Sequence, residues 1–150
     1  MEENSMPFEV LLVEDSPGDV RLTQEAFRDV RDTVHLRVAC DGVEAMAVLR
    51  LEGIHARTPR PDLILLDLNL PRMDGREVLA CIKQDASLKA IPTIILTSSE
   101  AEADIVKSYQ LHANCYLSKP VRLEDFEKLV VSLNEFWLTK VRFPQQSAAA

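Results

Sequence analysis

No stretch of this 150-residue chain reaches 18 consecutive apolar residues, so the sequence offers no membrane-spanning helix. Basic charge is scarce as well. Seventeen Lys and Arg stand against 24 Asp and Glu, for a formal charge of −7. The basic footprint that a phosphate backbone requires is missing, which argues against general nucleic-acid binding. Part of the acidity serves solubility. Cysteine is sparse: Cys40, Cys81 and Cys115 are odd in number, far apart and without C-x-x-C spacing. They read as reduced thiols with packing roles. His35, His55 and His112 show no metal-ligand spacing. The opening Met1-Glu2-Glu3-Asn4-Ser5 lacks the basic and apolar regions of a secretory signal, so a cytoplasmic protein is expected. No internal repeat is present.

What the chain does contain is enough apolar residue, 47%, to bury one core. Short apolar runs alternate with amphipathic helical patterns about five times. Strands are expected over 8–13, 34–39, 62–66, 93–97 and 115–118. Helix one follows Ser16-Pro17-Gly18-Asp19, an N-cap serine with proline in the first turn, and turns Val20, Thr23, Phe27 and Val30 inward. Helix two follows Asp41-Gly42 and carries Val43, Met46, Ala47 and Leu49. Residues 53–61 read as a surface loop. Helix three spans about 75–85, and helix four is expected to start with a capping box of Ser99 and Glu102. Helix five carries Leu123, Phe126, Leu129, Val130, Leu133, Phe136 and Trp137 at helical spacing. The fold class is α/β: a doubly wound, five-stranded parallel sheet with helices on both faces. Residues 1–7 form an N-terminal arm, 8–138 the domain, and 139–150 a tail that is partly disordered.

Asp67 carries the chemistry. It ends the apolar run Leu63-Ile64-Leu65-Leu66, a strand buried on both faces. Open α/β sheets place ligand sites at the carboxyl ends of their strands. Strand one runs into Glu14-Asp15, strand four into Thr97-Ser98-Ser99 and strand five into Ser118-Lys119-Pro120. If the strands are parallel neighbours, three carboxylates, a hydroxyl and a lysine converge. That set suits a divalent cation and a phosphoryl group, because hard cations take oxygen ligands and Lys presents a mobile point charge.

This pattern resembles the receiver domain of two-component response regulators, a flavodoxin-like, CheY-like fold, over about 8–137. Glu14-Asp15 matches the acidic pair. Asp67, with Leu68-Asn69-Leu70-Pro71 and Asp74-Gly75 after it, matches the phosphoacceptor motif, Thr97 the hydroxyl position, and Lys119-Pro120 the lysine and cis-proline pair. The resemblance implies Mg²⁺, for which Mn²⁺ or Ca²⁺ can substitute, on Asp15, Asp67 and the backbone carbonyl of Asn69, with Glu14 acting through a metal-bound water. Asp67 would accept a phosphoryl group from the histidine of a sensor kinase, with Thr97 and Lys119 binding its oxygens. Thr97 and Tyr116 would form the switch: phosphorylation draws Thr97 toward the phosphoryl group and lets Tyr116 turn inward. Asn69 and Ser99 would tune the lifetime. The protein would be a switch that assists its own phosphorylation and slow dephosphorylation rather than an enzyme.

The glycine usual before strand five is absent, and Asn114 is expected to take the left-handed position. This departure, with the long 53–61 loop, Asn114-Cys115-Tyr116 and Phe136-Trp137-Leu138-Thr139, resembles the single-domain regulators that partner cyanobacterial and bacterial phytochromes. Phe136, Trp137, Leu138, Val141 and Phe143 need cover. The resemblance implies a homodimer through helix four, strand five and helix five, with Phe136, Trp137 and Leu138 in it; the alternative is a tail folded onto its own domain. About a dozen residues follow helix five, too few for an output module. Among rivals, a haloacid-dehalogenase-type hydrolase wants a second acid where Asn69 stands. A flavodoxin-like cofactor binder wants a phosphate loop where Glu14-Asp15 stands. A degenerate receiver would bind partners without phosphorylation.

Overall fold

The computed structural model describes residues 7–144; residues 1–6 of the expected arm and 145–150 of the expected tail lie outside the described residues. Five strands, β1 (Phe8–Val13), β2 (Val34–Ala39), β3 (Leu63–Leu66), β4 (Thr93–Thr97) and β5 (Cys115–Ser118), form one parallel sheet in the order β2-β1-β3-β4-β5. The chain order reverses between β1 and β3, the switch point where doubly wound sheets open a crevice. Five helices connect and follow the strands: α1 (Pro17–Ala26), α2 (Gly42–Leu49), α3 (Gly75–Gln84), α4 (Glu102–Gln110) and α5 (Leu123–Phe136). None of them is long and apolar enough to cross a membrane.

The period-2 geometry of strands divides the core into two layers. Leu11, Val13, Ile64, Leu66 and Ile95 pack with α2 and α3 residues, among them Met46, Val78, Leu79 and Ile82. Val10, Leu12, Leu63, Leu65 and Ile94 pack with Phe27, Phe126, Val130 and Leu133 beside α1 and along α5. All four β3 residues are at most 1% exposed. Each such side chain contributes about 1.5–3 kcal/mol on burial, so β3 tolerates a charge only where it meets the sheet edge, at Asp67.

Helix starts follow local hydrogen bonding. Ser16 caps α1, its Oγ accepting the Asp19 N–H at 3.3 Å. Asp41 caps α2 by accepting the Glu44 N–H at 2.7 Å. Asp74 opens α3 with a capping box completed by Glu77. The expected box of Ser99 and Glu102 does not form. The α4 N-cap is Ala101, with no side-chain cap. Ser99 stands two residues ahead of that cap, where its Oγ donates to Asp104 Oδ2 at 2.6 Å and accepts the Ala101 N–H at 3.4 Å.

Two other expectations are refined and a third is corrected. Val43 is 41% exposed; Ala45, Met46, Val48 and Leu49 form the inner face of α2. The 53–61 loop contains a 3₁₀ turn at Gly53–His55. His112, not Asn114, takes the left-handed conformation, at φ 72°. Asn114 is spent otherwise: its Oδ1 accepts from Thr93 N at 2.8 Å and Lys83 Nζ at 3.2 Å. That pins the start of β4, and the left-handed residue moves back to the end of the α4 turn.

Candidate functional site

Because β1 and β3 are hydrogen-bonded neighbours, their ends bring Glu14, Asp15 and Asp67 together. One ligand oxygen from each lies within 4.8 Å of the others. Glu14 is 3% and Asp67 5% exposed, while Asp15 faces solvent. This set of hard oxygens with one open side fits a divalent cation that keeps part of its water shell.

Asp67 is held on both oxygens. Oδ1 accepts from Thr97 Oγ1 at 2.7 Å and from the Asn69 N–H at 3.3 Å. Oδ2 accepts from Lys119 Nζ at 2.9 Å. Thr97 is fully buried, and its carbonyl accepts the Lys119 N–H at 2.8 Å, so the ends of β4 and β5 fix hydroxyl and ammonium jointly.

Lys119 makes three ion pairs, with Glu14 at 2.6 Å, Asp67 at 2.9 Å and Asp19 at 2.9 Å. Burial disfavours its charge, but the bonds to Glu14, Asp67 and Asp19 more than offset this and hold its proton affinity above the ordinary lysine value. Burial pushes the Glu14 carboxyl up, against the bonds from Lys119 and the Ser16 N–H. Both Glu14 oxygens are engaged, Oε1 by Lys119 and Oε2 by Ser16 N at 3.1 Å. A reluctantly ionised acid among like charges is a further fit to a cation, which favours the ionised form.

The expected acids, Thr97 and Lys119 all meet at this edge. The Lys119–Pro120 peptide does not match: the described residues contain no cis peptide bond, so Pro120 is trans. The cis–trans gap before proline is only about 0.5–1 kcal/mol, so the dipeptide alone does not fix the isomer. Both residues of the expected switch are held by hydrogen bonds. Thr97 is already bonded to Asp67, and Tyr116 is half-buried with its hydroxyl donating to the Ser99 carbonyl at 2.9 Å. The reason lies in a polar chain behind the site. Arg76 donates to Asp74 at 3.1 Å and to Asp104 at 2.7 Å. Asp104 in turn accepts the Ser99 hydroxyl. Ser99 is thereby committed to α4 rather than to the acidic pocket, and its carbonyl stands as a fixed acceptor for Tyr116.

Sequence reasoning missed Asp19 and the Arg76–Asp104 pair. Asp19 follows Asp15 by one helical turn, a spacing that could have flagged it; Arg76 and Asp104 are 28 residues apart, with no local signal.

Trp137, Leu138 and Phe143 pack against the layer shared by α1 and α5. Phe143 meets Phe8 edge-on at 4.9 Å, and Trp137 meets Phe143 at 6.2 Å. Two of the three residues expected in a dimer contact are therefore engaged by their own domain; Phe136 is 55% exposed.

The sequence pattern described as "Response regulator receiver domain" matches residues 10–131. Response regulator Rcp1 of Synechocystis sp. is 49% identical over 143 residues, 95% of this chain and 97% of that protein. Among solved structures, the phosphorylated cyanobacterial phytochrome response regulator RcpA is similar with a TM-score of 0.89, at 48% identity, over 93% of this chain and 100% of that one. The Mn²⁺-bound form of Rcp1 is similar with a TM-score of 0.86, at 50% identity and the same coverage.

Proposed function

This chain belongs to the response regulator receiver domain family, and from that premise we propose that Asp67 accepts a phosphoryl group from the histidine of a sensor kinase in a two-component relay. The observation that carries this is the pairing of Thr97 Oγ1 and Lys119 Nζ on the two oxygens of one buried carboxylate. A carboxylate oxygen attacks phosphorus, the P–N bond to the donor imidazole breaks, and the bonding pair returns to that ring. An acyl phosphate remains on Asp67. Positioning and charge neutralisation supply most of the acceleration in such transfers. Lys119 and Thr97 supply two hydrogen bonds to the oxygens that gain charge.

Mg²⁺ is the cation proposed. Asp15, Asp67 and the Asn69 carbonyl would hold it, with Glu14, buried and bonded to Lys119 and the Ser16 N–H, acting through water. When bound, it neutralises the crowded acids and the charge on the phosphoryl group. Asn69 stands where a hydrolase would carry an acid–base, which supports slow self-dephosphorylation in place of turnover.

The likeness to RcpA and Rcp1 supports a phytochrome kinase as donor. The output is carried by the face of α4, β5 and α5, where Val106, Tyr109, Val121 and Phe136 are exposed, and the chain pairs with a second copy there, in the cytoplasm.

Intact-protein mass spectrometry after incubation with acetyl phosphate and Mg²⁺ tests the central step. A gain of one phosphoryl group is expected, absent in Asp67→Asn and after chelation. If neither acetyl phosphate nor a phosphorylated kinase labels the wild type, the domain is a binding module and the proposal fails.

A further inference from the structure

An ammonium has three N–H donors, and Lys119 has three carboxylates on them. Two, Glu14 and Asp67, belong to the acidic site. The third, Asp19, comes from the first turn of α1 and has no part in the chemistry described above. Its place is fixed by local structure. Its N–H donates to Ser16 Oγ at 3.3 Å and its carbonyl accepts from the buried Thr23 hydroxyl at 2.7 Å. The N-terminal end of a helix also favours a carboxylate.

A fully engaged ammonium constrains the reaction. When Asp67 becomes an acyl phosphate, its own charge is lost and phosphoryl oxygens enter. The Lys119 N–H released from Asp67 turns to one of these against the pull of the two carboxylates that remain, Glu14 and Asp19. Glu14 is 4% exposed at the side chain and its bond is the shortest, at 2.6 Å; Asp19 is 31% exposed. The more solvated pair is the more screened and the cheaper to break. Resting on the phosphoacceptor reading, the geometry points to Asp19 as a positioning residue that holds Lys119 against Asp67 before transfer and competes with the phosphoryl group for it afterwards.

The test uses the full chain and beryllium trifluoride, a tetrahedral phosphoryl mimic, at saturating Mg²⁺, with Kd measured by calorimetry. Asp19→Asn keeps the shape and a carbonyl acceptor but removes the charge. It is expected to bind the mimic more tightly by about two- to fivefold, the range of a partly exposed ion pair. Asp19→Glu, which keeps the charge, is expected to return the Kd toward wild type. Glu25→Gln removes an equal charge from the same helix; Glu25 pairs with Arg28 instead, so this variant is expected to leave the Kd unchanged. An unchanged or weaker Kd in Asp19→Asn overturns the inference, even if thermal stability shifts. So does an equal gain in Glu25→Gln, which would reveal a general field effect. A wild type that binds no mimic and gains no mass from acetyl phosphate or kinase removes the phosphoacceptor reading, and this inference with it.

Discussion

Tyr116 on β5 is tied to the segment before α4 through its hydroxyl, and its proton carries that bond. The hydroxyl donates to the Ser99 carbonyl, a bond that only the protonated form can make. Burial, first among the causes, raises its proton affinity above that of an ordinary tyrosine. A pKa raised on folding contributes stability that is fully present below the unfolded value, about 10, and is lost as pH rises through the folded value. Tyr109→Phe leaves Tyr116 as the remaining tyrosine of the two, so tyrosinate absorbance reports it alone. The folded midpoint is expected above the midpoint in urea, with the melting temperature falling across the same alkaline interval. Equal midpoints would mean that the Ser99 bond does not persist in solution. At this scale the sequence was most legible where a polar residue ended an apolar run: Glu14, Asp15, Asp67, Thr97 and Lys119 each stood out that way. Asp19 did not, because an acid in a first helical turn already has a sufficient explanation in the helix dipole.

Among the elements, the segment from Asp67 to α3 has the least room. A Cβ on Gly75 would fall far inside contact distance of the Asp67 carbonyl oxygen and close to Leu68 Cα. A Cβ on Gly42 would meet the Met73 carbonyl in the same way. The loop that carries the acceptor is thus clamped between the first turns of α2 and α3, and Arg72 within it takes a left-handed φ of 67°. Gly75→Ala is expected to destabilise the fold by about 1–3 kcal/mol, the usual cost of forcing extra volume into a packed site. Its acetyl-phosphate labelling should also slow, because the atom displaced is the Asp67 backbone. Urea unfolding at the wild-type midpoint would show that the loop yields freely. Strand limits were readable because β3 and β4 are apolar runs bounded by turn residues, and β2 alternates apolar with polar residues. The α4 cap was not: Ser99 and Glu102 had the right spacing, but Asp104, which takes the Ser99 hydroxyl, is one of several acids nearby and only the fold selects it.

For the whole molecule, the proposed pairing depends on which apolar residues are left to face a second copy. A hydrophobic pattern records that Phe136, Trp137, Leu138 and Phe143 need cover, not whether the cover is intramolecular. Trp137 and Phe143 are covered by their own domain, in a cluster with Phe8. Phe136, with Val106, Tyr109 and Val121, remains outside. These two groups make opposite predictions. Phe136→Asp places a charge on the exposed set, where little native packing is lost. It is expected to convert the dimer to a monomer in sedimentation velocity while the melting temperature stays near wild type. Phe143→Ala removes half-buried packing and is expected to lower stability by about 1–2 kcal/mol, less than the ~3–5 kcal/mol of a fully buried Phe. It should shift the emission of Trp137, the only tryptophan, to longer wavelength and leave the dimer intact. A wild type that sediments as a monomer at micromolar concentration removes the dimer. A Phe143→Ala variant that is monomeric but otherwise stable would move the interface from the α4–β5–α5 face to the C-terminal segment.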